Sequence, residues 1–87
     1  MVSSYIMEDG LITIEDVAAL FGVSTRQIRH YRALRIVKVA QVSHARQYFA
    51  RSDVLKRKEM FDELRADGNS LEQAGGEIDR RYGRKKR

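Results

Sequence analysis

Arg26, Arg29 and Arg32 recur at every third residue of the stretch VSTRQIRHYR (Val23–Arg32), and no acidic residue is near enough in sequence to neutralise any of them. A guanidinium stays cationic at physiological pH and presents a planar fork of N–H donors, which matches phosphate oxygens and the O6 and N7 atoms of guanine. On a helix, at about 100° per residue, Thr25, Arg26, Arg29 and Arg32 share one side while Ile28, Tyr31 and Leu34 gather on the other. One face packs and the other is cationic. Solvated helix faces usually mix signs to gain i,i+4 pairs. Here every charged neighbour repels, at roughly 0.2–0.5 kcal/mol per pair, so the pattern points to an anion outside the chain.

No comparable constellation supports catalysis. Glu15, Asp16, Asp53 and Glu72 all fall in expected first helical turns, where capping and the helix dipole account for them better than acid–base chemistry does. No nucleophile stands beside a base. There are no cysteines, and His30 and His44 lack partners for a metal site, so both read as surface or groove-side residues; no metal or cofactor is expected.

Composition agrees with a small binding module. A chain of 87 residues holds one core and, at that size, buries only about 60–65% of its unfolded surface. Its net charge of +5 and pI near 9.9 favour polyanionic partners. No apolar run approaches the ~20 residues that cross a bilayer, and the start MVSSYIMEDG lacks a basic n-region and a long h-region. The expectation is a cytoplasmic protein with neither signal peptide nor membrane span.

The elements that position the arginines follow from caps and periodicity. Thr13 is placed to cap a helix carrying Ile14, Val17, Ala18 and Phe21 on one stripe, with its hydroxyl on the Asp16 N–H and Ile12 and Val17 as a hydrophobic staple. Gly22 stops that helix, and Ser24 with Gln27 forms a capping box for the next, giving a helix-turn-helix within about 22 residues. β-Branched residues then predict two strands near 38–42 and 46–49 around the turn Ser43-His44-Ala45. Ser52 is expected to cap a third helix over 53–66, with Val54, Phe61 and Leu64 inward and Lys56-Arg57-Lys58 as a basic run. Asp67-Gly68-Asn69 ends it, and Ser70 with Gln73 opens a fourth helix carrying Leu71, Ala74, Ile78 and Tyr82. Gly75-Gly76 weakens that helix by roughly 1 kcal/mol per glycine relative to alanine. Arg80, Arg81 and Gly83–Arg87 read as a disordered basic tail. There is no internal repeat and, without proline, no interdomain linker. The expected fold is mostly α with a small β-hairpin, a winged helix-turn-helix in the order α-α-β-β-α-α. The expected divisions are an N-terminal arm at 1–11, the winged domain at 12–74, and the end of the fourth helix with the tail at 75–87.

In that order the residues resemble the DNA-binding domain of the MerR family of bacterial regulators. The matching pieces are ITIEDVAALFGVSTRQIRHYRAL for the helix-turn-helix, ARQYFARSDV for the wing and third-helix entry, and ELRADGNSLEQA for the turn into the fourth helix. The resemblance implies a second helix in the major groove and a wing along the flanking backbone. Arg29 and Tyr31 occupy the family's Arg-x-Tyr positions, His30 replaces an aromatic residue between them, and Arg46 matches the wing arginine. Ser24 and Thr25 open the helix where its free N–H groups can accept a phosphate. The expected DNA-binding set is therefore Ser24, Thr25, Arg26, Arg29, His30, Tyr31, Arg32 and Arg46, with only the hydroxyl of Tyr31 placed to reach a phosphate.

The sequence departs from the family pattern at three places. Arg32 stands for a common acid, Arg35 for a common glycine and Arg57 for a common apolar residue. Typical members continue into a long dimerisation helix and an effector domain, whereas this chain ends about a dozen residues after Ala74. It reads as a stand-alone small member or an N-terminal fragment, monomeric off DNA, with cooperative assembly on DNA and contact with RNA polymerase or another protein compatible with the resemblance. The expected function is sequence-specific binding of double-stranded DNA in bacterial or phage transcriptional regulation. Two alternatives use the same fold: an architectural factor of the excisionase or DNA-packaging kind, and a protein-interaction module.

Overall fold

Local hydrogen bonds fix the helix that carries the arginines and the helix before it. A computed structural model describes residues 10–83, and in it the first helix, α1, spans Ile14–Phe21 and the second, α2, spans Thr25–Ala33. The Thr13 hydroxyl accepts the Asp16 N–H at 3.3 Å, and the Asp16 carboxylate accepts the Thr13 N–H at 3.2 Å. These two bonds satisfy donors that the first turn leaves free. Ser24 caps α2 through the Gln27 N–H at 3.1 Å.

Both helices close in the same way. Gly22 ends α1 with φ 71°, and the N–H groups of Gly22 and Val23 return to the carbonyls of Ala19 and Ala18. Arg35 ends α2 with φ 69°, and the N–H groups of Arg35 and Ile36 return to Arg32 and Tyr31. Each is a Schellman turn, whose left-handed position glycine fills without a steric cost. Arg35 therefore adopts the backbone that a glycine there would adopt more easily, at a cost of roughly 1–2 kcal/mol. Its ion pair with Asp79, 3.6 Å long, is 72% and 38% exposed at its two ends and recovers little of that. Arg35→Gly is expected to raise stability by about 1 kcal/mol and the thermal midpoint by about 4–8 °C. An unchanged or lower midpoint in thermal unfolding would contradict this account of the turn.

The sheet has one strand more than the residue pattern predicts. β1 (Leu11–Thr13) and β2 (Gln41–Ser43) flank β3 (Arg46–Ala50) in the order β1-β3-β2, all antiparallel. Ile12 lies opposite Phe49, and Val42 opposite Gln47. β1 escapes a reading by alternation because it is only three residues long and its last residue doubles as the cap of α1. The element order is thus β-α-α-β-β-α-α, still a mostly helical winged helix-turn-helix, and Leu11 belongs to the sheet rather than to an arm. The hairpin strand begins at Gln41 instead of 38, since of residues 38–40 only Ala40 reaches β3, through the Tyr48 carbonyl at 2.9 Å. His44 and Ala45 turn the hairpin with φ 51° and 64°, the left-handed pair of a type I′ turn.

The second half closes the core. α3 (Arg51–Ala66) continues straight from β3, so Ala50 occupies the cap position without a side-chain bond and Ser52 is the second helical residue, not the cap. The Arg51 N–H is satisfied instead by the Gly10 carbonyl, at 2.6 Å. α3 ends on Gly68 with φ 96°, and α4 (Leu71–Ile78) begins with the reciprocal bonds between Ser70 and Gln73 at 3.1 and 2.9 Å. Beyond it the chain widens into one π-helical turn, Asp79–Gly83.

Val17, Ile28, Val54 and Phe49 from α1, α2, α3 and the sheet are fully buried together with Ile36, Ala74 and Ile78. Phe21, Tyr31 and Phe61 stack edge-on and tilted, with ring centroids 5.3–5.6 Å apart. Two expectations about basic residues are refined here. Arg57, expected in a basic run with Lys56 and Lys58, is only 3% exposed, because it has found acceptors inside the fold. Arg80 and Arg81 belong to the ordered π turn, where both pair with Glu77. Residues 84–87 of the expected tail and 1–9 of the expected arm lie outside the described residues.

Candidate nucleic-acid interface

The cationic side of α2 remains open in the folded chain. Arg26, Arg29, His30 and Arg32 are exposed, Thr25 is half-buried, and Ser24 is exposed with its hydroxyl engaged as the cap. The hairpin carries a further exposed cation. Arg46 is exposed where β3 leaves the turn, and a shallow groove between α2 and the hairpin is lined by Ile14, Arg29, Arg32, Ala45 and Gln47. Helix and wing therefore present one continuous surface.

Charge is segregated in this fold. Among the described residues the ion pairs are Arg35–Asp79, Arg57–Asp53, Lys58–Asp62, and Arg80 and Arg81 with Glu77. None uses an arginine of α2 or of the wing. The hydrogen bond from Arg80, followed by the charges of Arg80 and Arg81, holds the Glu77 carboxyl below its usual range against the opposing effect of desolvation. Burial raises the Tyr82 phenol above its usual value, and the negative charge of Asp53 adds to that, so the phenol stays protonated at physiological pH. Asp53 and Glu77 thus neutralise arginines of the second half, while the arginines of α2 and the wing have no ion-pair partner among the described residues.

The profile of the MerR HTH family of regulatory proteins matches residues 12–81. The chain belongs to the MerR HTH family. A search of curated proteins gives no match to it. MerR-type helix-turn-helix domains serve DNA-binding transcription regulation, and among the described residues no helix is long and apolar enough to cross a membrane.

Within this MerR-type domain the expected site residues separate into two groups. Arg26, Arg29, His30 and Arg32 share the open face, with Ser24 and Thr25 at its N-terminal end; Arg46 is exposed on the wing, while the wing residues that line the groove are Ala45 and Gln47. Tyr31 does not join them. It is 6% exposed, its ring wedged between Phe21 and Phe61, because it lies on the same side of α2 as fully buried Ile28. Gln47 was not expected at the site, yet it lines the groove beside Arg29 and Arg32. Its only signal in the sequence is its place next to Arg46 on a strand.

Proposed function

We propose that this domain binds double-stranded DNA at a specific sequence in transcriptional regulation, with α2 along the major groove and the wing on the adjoining backbone or minor groove. The observation that carries the reading is the row of arginines on α2, unpaired among the described residues, opening onto a groove shared with the wing. A major groove about 12 Å wide admits one helix, and bidentate arginine–guanine contact is its commonest specific pairing. Arg26 and Arg29 take the base-reading role; Arg32, His30 and Arg46, with the N–H groups at Ser24 and Thr25, hold phosphates. Tyr31 supports α2 from behind through its ring. Off DNA the chain is a monomer, since Ala74 and Ile78 of α4 are fully buried within the fold and leave no apolar seam for a partner helix.

The test compares Arg26→Ala, Arg29→Ala and Arg46→Ala on matched and scrambled duplexes at one salt concentration. Each helix variant is expected to lose roughly 5- to 150-fold on the matched duplex, the equivalent of ~1–3 kcal/mol, with much less lost on the scrambled one. Arg46→Ala should weaken both by similar factors. Equal losses on both duplexes for the helix variants, with a long cooperative footprint and strong bending, would favour the architectural role instead.

A further inference from the structure

Arg57 is the only buried charged residue among those described, and it joins three parts of the fold. Its Nε donates to Asp53 Oδ2 at 2.9 Å, one turn earlier on α3. Its Nη1 donates to the carbonyl oxygen of Arg35 at 3.2 Å, 22 residues away in sequence. Its guanidinium carbon lies 5.3 Å from the ring centroid of Tyr82, in the turn beyond α4. The carbonyl it holds belongs to the left-handed residue that closes α2. Both N–H groups of that turn are already spent on carbonyls of α2, so its outward tie is made through oxygen. The preceding carbonyl, that of Leu34, abuts Gly75 of α4. The exit of α2 is thus gripped twice, by a hydrogen bond from α3 and by backbone contact with α4.

An apolar side chain at residue 57 would fill this space without the cost of burying a charge, which runs to several kcal/mol before pairing. What the guanidinium adds is direction. Arg57 lines two clefts, one with Asp53 and Tyr82 and the other with Arg35 and Asp79, with Lys38 in each. Beside the contact of α4 with this turn, the directed bond from Arg57 is what ties it to α3. We propose that Arg57 is a positioning residue for sequence reading: it sets the tilt of α2 against α3 without touching DNA. This rests on the DNA-binding reading above.

The leverage is large. Arg26 lies nine residues before Arg35, about 13.5 Å along the helix at 1.5 Å per residue, so a tilt of about 10° about the closing turn displaces it by roughly 2.4 Å. Bidentate hydrogen bonds tolerate only about 0.5 Å, from 2.7 to 3.2 Å. Attraction to phosphates falls off over a Debye length of roughly 8 Å and survives the same displacement. Loosening the tie should therefore remove discrimination and leave general affinity in place.

The experiment uses the 87-residue chain with Arg57→Met, which supplies the apolar residue common in the family, and with Arg57→Lys and Asp53→Asn. Arg57→Met is expected to reduce the matched-to-scrambled affinity ratio by roughly tenfold or more. Its affinity for the scrambled duplex and its salt dependence should stay within about twofold, measured where circular dichroism shows the chain folded. Arg57→Lys should fall between, because one ammonium cannot reproduce the two directed N–H bonds. Asp53→Asn leaves the guanidinium in place and serves if Arg57→Met does not fold. Amide hydrogen exchange reads the tie without DNA: Arg35 and Ile36 should exchange at least about tenfold faster in the variants, with α1 unchanged. An unchanged affinity ratio beside a discriminating wild type overturns the positioning role and leaves the DNA reading intact. If the wild type has one affinity for every duplex, the DNA reading has failed, and unchanged exchange at Arg35 and Ile36 then overturns the tie as well.

Discussion

Gly75→Ala is expected to lower stability by about 3 kcal/mol or more, and Gly76→Ala, one residue along the same helix, to raise it by nearly 1 kcal/mol. A Cβ at Gly75 would overlap the carbonyl oxygen of Leu34 and come within 3.0 Å of its carbon and 3.3 Å of Ile36 Cγ1. Backbone atoms cannot rotate away as a flexible side chain would, so α4 must lift off the turn that closes α2. A Cβ at exposed Gly76 meets nothing within 4 Å, and there alanine simply reduces the freedom of the unfolded chain. For a domain of this length, total stability is about 4–13 kcal/mol at roughly 0.05–0.15 kcal/mol per residue, so the first change removes a large share of it. Thermal unfolding should place the two variants on opposite sides of the wild type, with Gly75→Ala lower by roughly 12–24 °C. A Gly75→Ala chain as stable as the wild type would refute the close approach of α4 to the closing turn.

That contrast also shows what a sequence makes legible. The caps at Thr13 and Ser70, the stops at Gly22 and Gly68, and the two faces of α2 rest on residues within one or two helical turns of each other, and the fold places them as expected. Gly75 and Gly76 look identical by propensity, because what separates them is Leu34, 41 residues before Gly75. Arg57 reads as the middle of a basic run for the same reason. Half of its environment was nonetheless within reach, since Asp53 stands four residues before it, while the Arg35 carbonyl could be found only in three dimensions. The departures at 35 and 57 turn out to be connected: the arginine that takes the glycine conformation offers its carbonyl to the arginine that takes the apolar place. β1 is invisible because three residues cannot establish an alternation, whereas the ring of Tyr31 packs on the side that periodicity predicts.

The strongest solution effect expected of the domain is loss of DNA affinity with added salt. If five to eight cationic groups meet phosphates, log K should fall against log salt with a slope of roughly −4.5 to −7, at about −0.9 per contact. Between 50 and 200 mM salt that amounts to a loss of roughly 500- to 20,000-fold in affinity, measurable by fluorescence anisotropy on a labelled duplex. The slope also sorts the arginines by role, which affinity at one salt concentration does only indirectly. An arginine on a phosphate displaces a condensed counterion, so Arg46→Ala and Arg32→Ala should each make the slope shallower by about 0.9. An arginine on a base edge displaces none, so Arg29→Ala should cut affinity for the matched duplex and leave the slope nearly unchanged. The arrangement of charge motivates the size of the effect: Asp53 and Glu77 are engaged with arginines of the second half, Asp79 with Arg35 and Asp62 with Lys58, and the arginines of α2 and the wing have no ion-pair partner among the described residues. A flat salt response would overturn the assignment of this face to DNA and leave the fold as a protein-interaction module. A steep response that Arg29→Ala and Arg46→Ala reduce equally would keep DNA as the partner, but would make both arginines backbone contacts and move sequence reading off α2.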